Sequence, residues 1–209
     1  MSERRPARHF SMLRDFHLAD FLTLANGGCG AAAVFLAMEH VRDGRVERVY
    51  AAGMLVVAAL AFDVLDGRVA RWRHLSSPLG RELDSLADVI SFGVAPAALA
   101  YAVGMSTVCD ALILLYFVAC GISRLARYNV TAESLATDTG TVRYFEGTPI
   151  PTSTLLVLLL VALAWRGQIG AILPFGTVAL GFCTFHPLTL LFGISGSLMI
   201  SKTLRIPKL

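Results

Sequence analysis

The stretch FDVLDGRVARWRHLSSPLGRELDSLADVISFG, Phe62 to Gly93, decides how this chain is read. It joins two apolar runs and sets Asp63, Asp66, Asp84 and Asp88 at or near membrane depth. An ionisable group there costs several kcal/mol unless paired or solvated, so a functional role is the default reading. Asp63 and Asp66 are three apart, and Asp84 and Asp88 four apart. On helices each pair projects from one face. If the two helices pack side by side, four carboxylates converge on one polar pocket.

Outward from this stretch the chain is apolar. Runs predicting membrane helices cover about 21–38, 49–65, 83–103, 107–125 and 149–165, each near the ~20 residues a span needs. A last apolar region, 169–200, would be ~48 Å long as one helix. That is too long for one crossing, and Pro174, Gly181 and Pro187 interrupt it. It reads as one span with a re-entrant or interfacial lead-in, or as two short spans. Basic residues arbitrate, because Lys and Arg concentrate in cytoplasmic loops. With six spans and a cytoplasmic N-terminus, fourteen Lys and Arg fall inside, and Arg42, Arg45, Arg48 and Arg166 outside. A seventh span would expel the basic tail SKTLRIPKL. The expectation is therefore an all-α polytopic membrane protein, a single domain over 1–209. It has six transmembrane helices, with both termini and the carboxylates on the cytoplasmic side of the inner membrane. Phe10 to His17 suits a short amphipathic interfacial helix, with a disordered tail as the alternative. No cleavable signal is expected, for want of a small-residue cleavage site.

Composition agrees. Of 209 residues, 56% are hydrophobic and 16% charged, against a usual ~45–50% and ~25%. A soluble single-core globule is excluded on those grounds, as is disorder. The formal net charge of +3 is too small for a nucleic-acid partner. Cys29, Cys109, Cys120 and Cys183 lie singly in or beside apolar runs, without CxxC pairs, and read as small packing residues.

Four converging anions repel one another and call for cations. An all-oxygen donor set suits magnesium, manganese or calcium rather than zinc. The competing reading is a solvated loop in which the aspartates pair with Arg68, Arg71, Arg73 and Arg81. It leaves the helical spacings and the small residues among them without a reason. Gly67, Ala70 and Gly80 permit close approach of a bulky polar ligand or of a neighbouring helix. Arg71 can hold a phosphate with its forked donors, and Ser77 offers a hydroxyl.

Asp63-x-x-Asp66-Gly67-x-x-Ala70-Arg71, eight residues, then Gly80-x-x-x-Asp84-x-x-x-Asp88 resembles, without departure, the signature of the CDP-alcohol phosphatidyltransferase family. The resemblance extends over essentially the whole chain. It implies a homodimeric membrane enzyme that exchanges CMP on a CDP-linked lipid for an alcohol. It implies two divalent ions, Mg2+ or Mn2+, with Ca2+ able to stand in within a crystal. Asp63, Asp66 and Asp84 would hold one ion and Asp63, Asp84 and Asp88 the other, with Asp88 also the general base. Gly67, Ala70, Arg71, Ser77 and Gly80 would line the CDP-lipid site. In the first span, Asp20-Phe21-Leu22-Thr23 stands where the family has Asn-x-x-Thr. Asp20 departs from that pattern, while Thr23 and Asn26 become expected cytidine contacts, with interhelical hydrogen bonding as their alternative.

Two further segments, GISRLARYN (Gly121 to Asn129) and YFEGTPIP (Tyr144 to Pro151), resemble those of the phosphatidylserine synthase branch, as does the basic tail. The implied substrates are CDP-diacylglycerol and L-serine, and the products phosphatidylserine and CMP, by direct displacement at phosphorus. Serine brings an ammonium, a carboxylate and a hydroxyl. Glu146, beside Tyr144, would face the ammonium, and Arg124 or Arg127 the carboxylate. Glycerol 3-phosphate or an inositol phosphate as acceptor, and an archaeal ether lipid as donor, are alternatives within the same chemistry. A cation channel or carrier is the alternative from another class.

Overall fold

The computed structural model describes residues 18–73, 78–136, 144–181, 183–201 and 205–207. Ser77 and the segment Phe10 to His17 lie outside them. Helix α1 (Leu18–Asp43) and helix α2 (Val46–Arg73) run antiparallel. Their connection is tight because Gly44 adopts φ +69°, and its N–H donates to the His40 carbonyl at 2.8 Å. That left-handed residue closes α1 as glycine commonly does. Arg45 and Arg48 pair there with Asp43, and Arg48 with Glu39, so this basic turn is locally neutralised.

The third crossing is composite: α3 (Pro78–Asp88), a π-helical segment (Val89–Val94) and α4 (Ala95–Ala102). Pro96 explains the break. It has no N–H to give the Phe92 carbonyl four residues back. Ser153 fills that vacancy, donating Oγ to Phe92 O at 2.7 Å. Just upstream, the Ala95 N–H reaches back five residues to Ile90 O, the wider π bond.

Helix α5 (Val108–Ala136) is the fourth crossing. Strand β1 (Tyr144–Glu146), a 3-10 turn (Ile150–Ser153) and α6 (Thr154–Trp165) follow. Next come a 3-10 turn (Gly170–Ile172), the hairpin β2 (Val178–Leu180) and β3 (Cys183–Phe185), and a further 3-10 turn (Pro187–Thr189). Helix α7 (Leu190–Ile200) and strand β4 (Arg205–Pro207) end the described chain.

Small residues let these helices approach closely, which is how association is achieved in lipid. A Cβ on Gly30 of α1 would stand 2.6 Å from Ser91 Cα, and one on Gly196 of α7 would stand 3.1 Å from Phe117 Cα. Phe92, Phe117 and Phe192 are fully buried. The last two meet edge-to-face, centroids 5.4 Å apart and planes at 88°, the arrangement favoured by the ring quadrupoles. Phe35, Met54, Leu115 and Leu155 point outward and are exposed. Apolar residues inside and out suit helices solvated by hydrocarbon.

Four helices are long and apolar enough to cross a membrane: Ala19–Asp43, Val46–Val69, Leu79–Ala102 and Val108–Val130. Where two later spans are expected, the helices are shorter. Ile150–Trp165 and Pro187–Ile200 are apolar helices of about 24 and 21 Å at 1.5 Å per residue. The helical class holds, with two three-residue antiparallel strand pairs added, β1–β4 and β2–β3.

The cysteine reading needs correction. Cys109 and Cys183 form a disulfide across 74 residues, and of the four only Cys29 and Cys120 remain free. Spacing could not show this, because the bridge depends on hairpin β2–β3 folding back onto the start of α5. Beside it, Thr107 and Asp110 exchange backbone-to-side-chain bonds at 3.2 Å, a capping box at the α5 N-terminus. Fully buried Asp110 also accepts from His186 N (2.8 Å) and Thr189 Oγ1 (2.8 Å) and pairs with His186 Nδ1 (2.6 Å).

Candidate active site

The four aspartates of the opening stretch come together from two helices. Asp63 and Asp66 lie on α2, one turn apart, and Asp84 and Asp88 on α3. One carboxylate oxygen from each of Asp63, Asp66 and Asp84 lies within 4.8 Å of the others. Asp88 stands outside that trio but is an electrostatic neighbour of Asp63, Asp84 and Asp66. Among the described residues, no ion pair joins these carboxylates to an arginine; the pairs present involve Glu39, Asp43 and Asp110. Of the four arginines in the solvated-loop reading, Arg68 and Arg81 make no such pair, and the side chains of Arg71 and Arg73 lie outside the described residues. Asp84 Oδ1 is buried and has no hydrogen-bond partner. Such an atom bears a full desolvation penalty. Clustered, partly orphaned hard oxygens fit a divalent cation.

Helix α1 braces the cluster. Thr23 Oγ1 donates to Asp66 Oδ2 at 2.6 Å, and Asn26 Nδ2 to Asp88 Oδ1 at 3.1 Å. Of the two readings of Thr23 and Asn26, interhelical bonding is thus realised, and onto the carboxylates themselves. Asn26 Oδ1 stays buried without a partner, an acceptor still open to a ligand donor. Asp20 is buried and lies within electrostatic reach of Asp66, so the residue that departs from the motif still stands near the cluster. Gly67 continues α2 beside Asp66, Ala70 and Arg71 follow on the same helix, and Gly80 lies in the first turn of α3.

Arg124 and Arg127 of α5 prove unlike. Arg127 donates Nη2 to Ile200 O at 3.4 Å, capping the end of α7. Arg124 is half-buried, an electrostatic neighbour of Asp88, and its Nε is buried without a partner. Tyr144 and Glu146 lie on β1, whose register sets Tyr144 opposite Pro207 and Glu146 opposite Arg205. Gly147 follows with φ +73°, pressed against the Leu198 and Met199 carbonyls, and Thr148 N donates to Leu198 O at 3.3 Å. Tyr144–Glu146 of the YFEG segment and Arg205–Pro207 of the basic tail, distant in sequence, thus pair as two strands.

The family model for CDP-alcohol phosphatidyltransferases matches residues 16–183. The chain belongs to that family. Its similarity to curated members is extensive. It is 47% identical over 203 residues to a Saccharomyces cerevisiae protein named CDP-diacylglycerol–serine O-phosphatidyltransferase, covering 96% of this chain and 74% of the relative. It is 40% identical over 141 residues to a Helicobacter pylori protein of the same name, covering 64% of this chain and 55% of the relative. A Mycobacterium leprae protein, again so named, is 38% identical over 156 residues, 74% of this chain and 49% of the relative. The chain thus spans about three quarters of the yeast relative and about half of the two bacterial ones. Within the family's transferase chemistry, clustered carboxylates on α2 and α3 are the groups suited to hold a cation against a diphosphate.

Proposed function

We propose that this chain is a CDP-diacylglycerol–serine O-phosphatidyltransferase, passing the phosphatidyl group of CDP-diacylglycerol to the serine hydroxyl and releasing CMP. The observation that carries the reading is the convergence of Asp63, Asp66 and Asp84 within 4.8 Å, with a buried, unpartnered Nε on Arg124, an electrostatic neighbour of Asp88. The names of the relatives support the choice of substrates. Carboxylates gathered in one cluster could hold cations that in turn bind a diphosphate.

Asp63, Asp66, Asp84 and Asp88 would hold two divalent cations, Mg2+ or Mn2+, which when bound neutralise charge on the diphosphate. Gly67, Ala70, Arg71, Ser77 and Gly80 line the CDP-lipid, with Asn26 offering its free carbonyl. Asp88, whose Oδ1 accepts from Asn26 Nδ2, takes the proton of the serine hydroxyl, as a poor nucleophile requires. Oxygen attacks phosphorus, the phosphorus–oxygen bond to CMP breaks, and no covalent lipid–enzyme species forms. Arg124, with its Nε donor unused, meets the serine carboxylate. Arg127, committed to the α7 carboxyl end, supports the site indirectly. Glu146 and Tyr144 on β1 serve the ammonium side.

An acceptor screen tests this. Purified protein with CDP-diacylglycerol and Mg2+ or Mn2+ should give phosphatidylserine with serine, and no lipid product with glycerol 3-phosphate or inositol phosphate. Phosphatidylglycerol phosphate as the main product would reject the serine assignment. The same preparation should scatter light as two copies of the 22.4 kDa chain.

The reading includes six crossings, the last two being Ile150–Trp165 and Pro187–Ile200, with the carboxylates facing the cytoplasm. The disulfide supports that orientation. Cys109 precedes Arg124 by fifteen residues on one helix, about 22 Å along its axis, and disulfides persist on the oxidising side of a membrane. In a Cys29→Ala, Cys120→Ala background, a membrane-impermeant maleimide should label intact spheroplasts only after reduction. Labelling restricted to inside-out vesicles would reverse the orientation.

A further inference from the structure

Helix α3 carries two of the clustered carboxylates and is held from two sides. Toward α1 it is fastened by Asn26 on Asp88 and by close packing, a Cβ on Gly27 standing 3.3 Å from Ala87 Cβ. Toward α5 it is fastened by a polar triad outside the cluster. Asn129 donates Nδ2 to Ser85 Oγ at 3.0 Å and to Glu82 Oε1 at 3.4 Å, and its Oδ1 stands 3.3 Å from the same hydroxyl. Glu82 and Ser85 are three apart and present one face of α3. Ser85 adjoins Asp84, whose Oδ1 has no partner to hold it. A rotation of α3 about its axis would swing Asp84 away from Asp63 and Asp66, and the triad opposes that rotation on the α5 side. Asn129 also lies five residues beyond Arg124 on the same helix, so the bond ties the helix proposed to receive serine to the helix bearing Asp84 and Asp88.

We infer that Asn129 is a positioning residue: through Ser85 and Glu82 it sets the rotation of α3, and thereby the affinity of the carboxylate cluster for a divalent cation. This rests on the cation reading of the cluster, and the experiment separates the two. Full-length protein in nanodiscs is titrated with Mn2+ and free ion is followed by electron paramagnetic resonance. Wild type binds and Asp84→Asn does not, which tests the cluster alone. Asn129→Ala and Ser85→Ala should each weaken Mn2+ binding about tenfold, equivalent to about 1.4 kcal/mol. Their double variant should weaken it no further, since both remove one link. Turnover of Asn129→Ala should recover to near the wild-type kcat at saturating Mn2+, and Ser85→Thr, which keeps the hydroxyl, should bind Mn2+ as wild type does. Unchanged Mn2+ affinity in Asn129→Ala, or single-variant effects that multiply in the double variant, would overturn the inference while leaving the cluster intact. Wild type that binds no Mn2+ would overturn both. Thermal unfolding without metal identifies a variant that has simply lost its fold; such a loss in both Asn129→Ala and Ser85→Ala would assign the triad to stability and overturn the inference.

Discussion

Asp84→Asn is expected to abolish turnover at every metal concentration, a loss of at least about a thousandfold, while leaving the protein as stable as before or more so. The two halves of that result have one cause. Asp63, Asp66 and Asp84 crowd their oxygens within 4.8 Å in largely desolvated surroundings, and like charges so placed destabilise one another. An amide keeps the shape and removes one charge, so metal-free unfolding should shift upward or stay put. The same substitution removes a ligand whose Oδ1 is already buried and unpartnered, and a neutral amide replaces it poorly for a hard cation. Formation of labelled phosphatidylserine measures the first half, and thermal unfolding without metal measures the second. Wild-type rates from Asp84→Asn would be incompatible with the mechanism.

The second large effect is confined to one substrate. Arg124→Met should raise the serine KM roughly 10- to 100-fold, the range expected for losing a charged hydrogen bond of about 1.5–3 kcal/mol, with the KM for CDP-diacylglycerol nearly unchanged. Arg127→Met should behave differently, because Arg127 caps the Ile200 carbonyl: it should lower stability and affect both substrates alike. Steady-state kinetics with each substrate varied in turn decide between them. Equal changes in both KM values for Arg124→Met would remove Arg124 from the acceptor site.

The carboxylate site was unusually legible because its information is local. Two spacings, three and four residues, specify helical faces, and the gap between them is short enough for α2 and α3 to be neighbours. The bracing by Thr23 and Asn26 was legible only as a choice, since a polar group in a membrane helix can face a ligand or a neighbouring helix. Features that depend on distant pairing left little trace. Cys109 finds Cys183, Asp110 finds His186 and Thr189, and β1 finds β4, through how the chain returns on itself rather than through any spacing. Asn129 lay inside a recognised run, yet its partners Ser85 and Glu82 belong to a different helix. Two local signals do stand in the sequence: Thr107-x-x-Asp110, a capping box, and Pro96, which marks the break in the third crossing.

That break has a geometrical consequence for anyone drawing this span on a helical wheel. The turn that hands its bond from Ala95 to Ile90 admits one residue more than an ordinary turn, so angular positions counted continuously from Pro78 slip before they reach Ala102. Two wheels are needed, one per segment, and residues lying in line on a single projection look toward different neighbours.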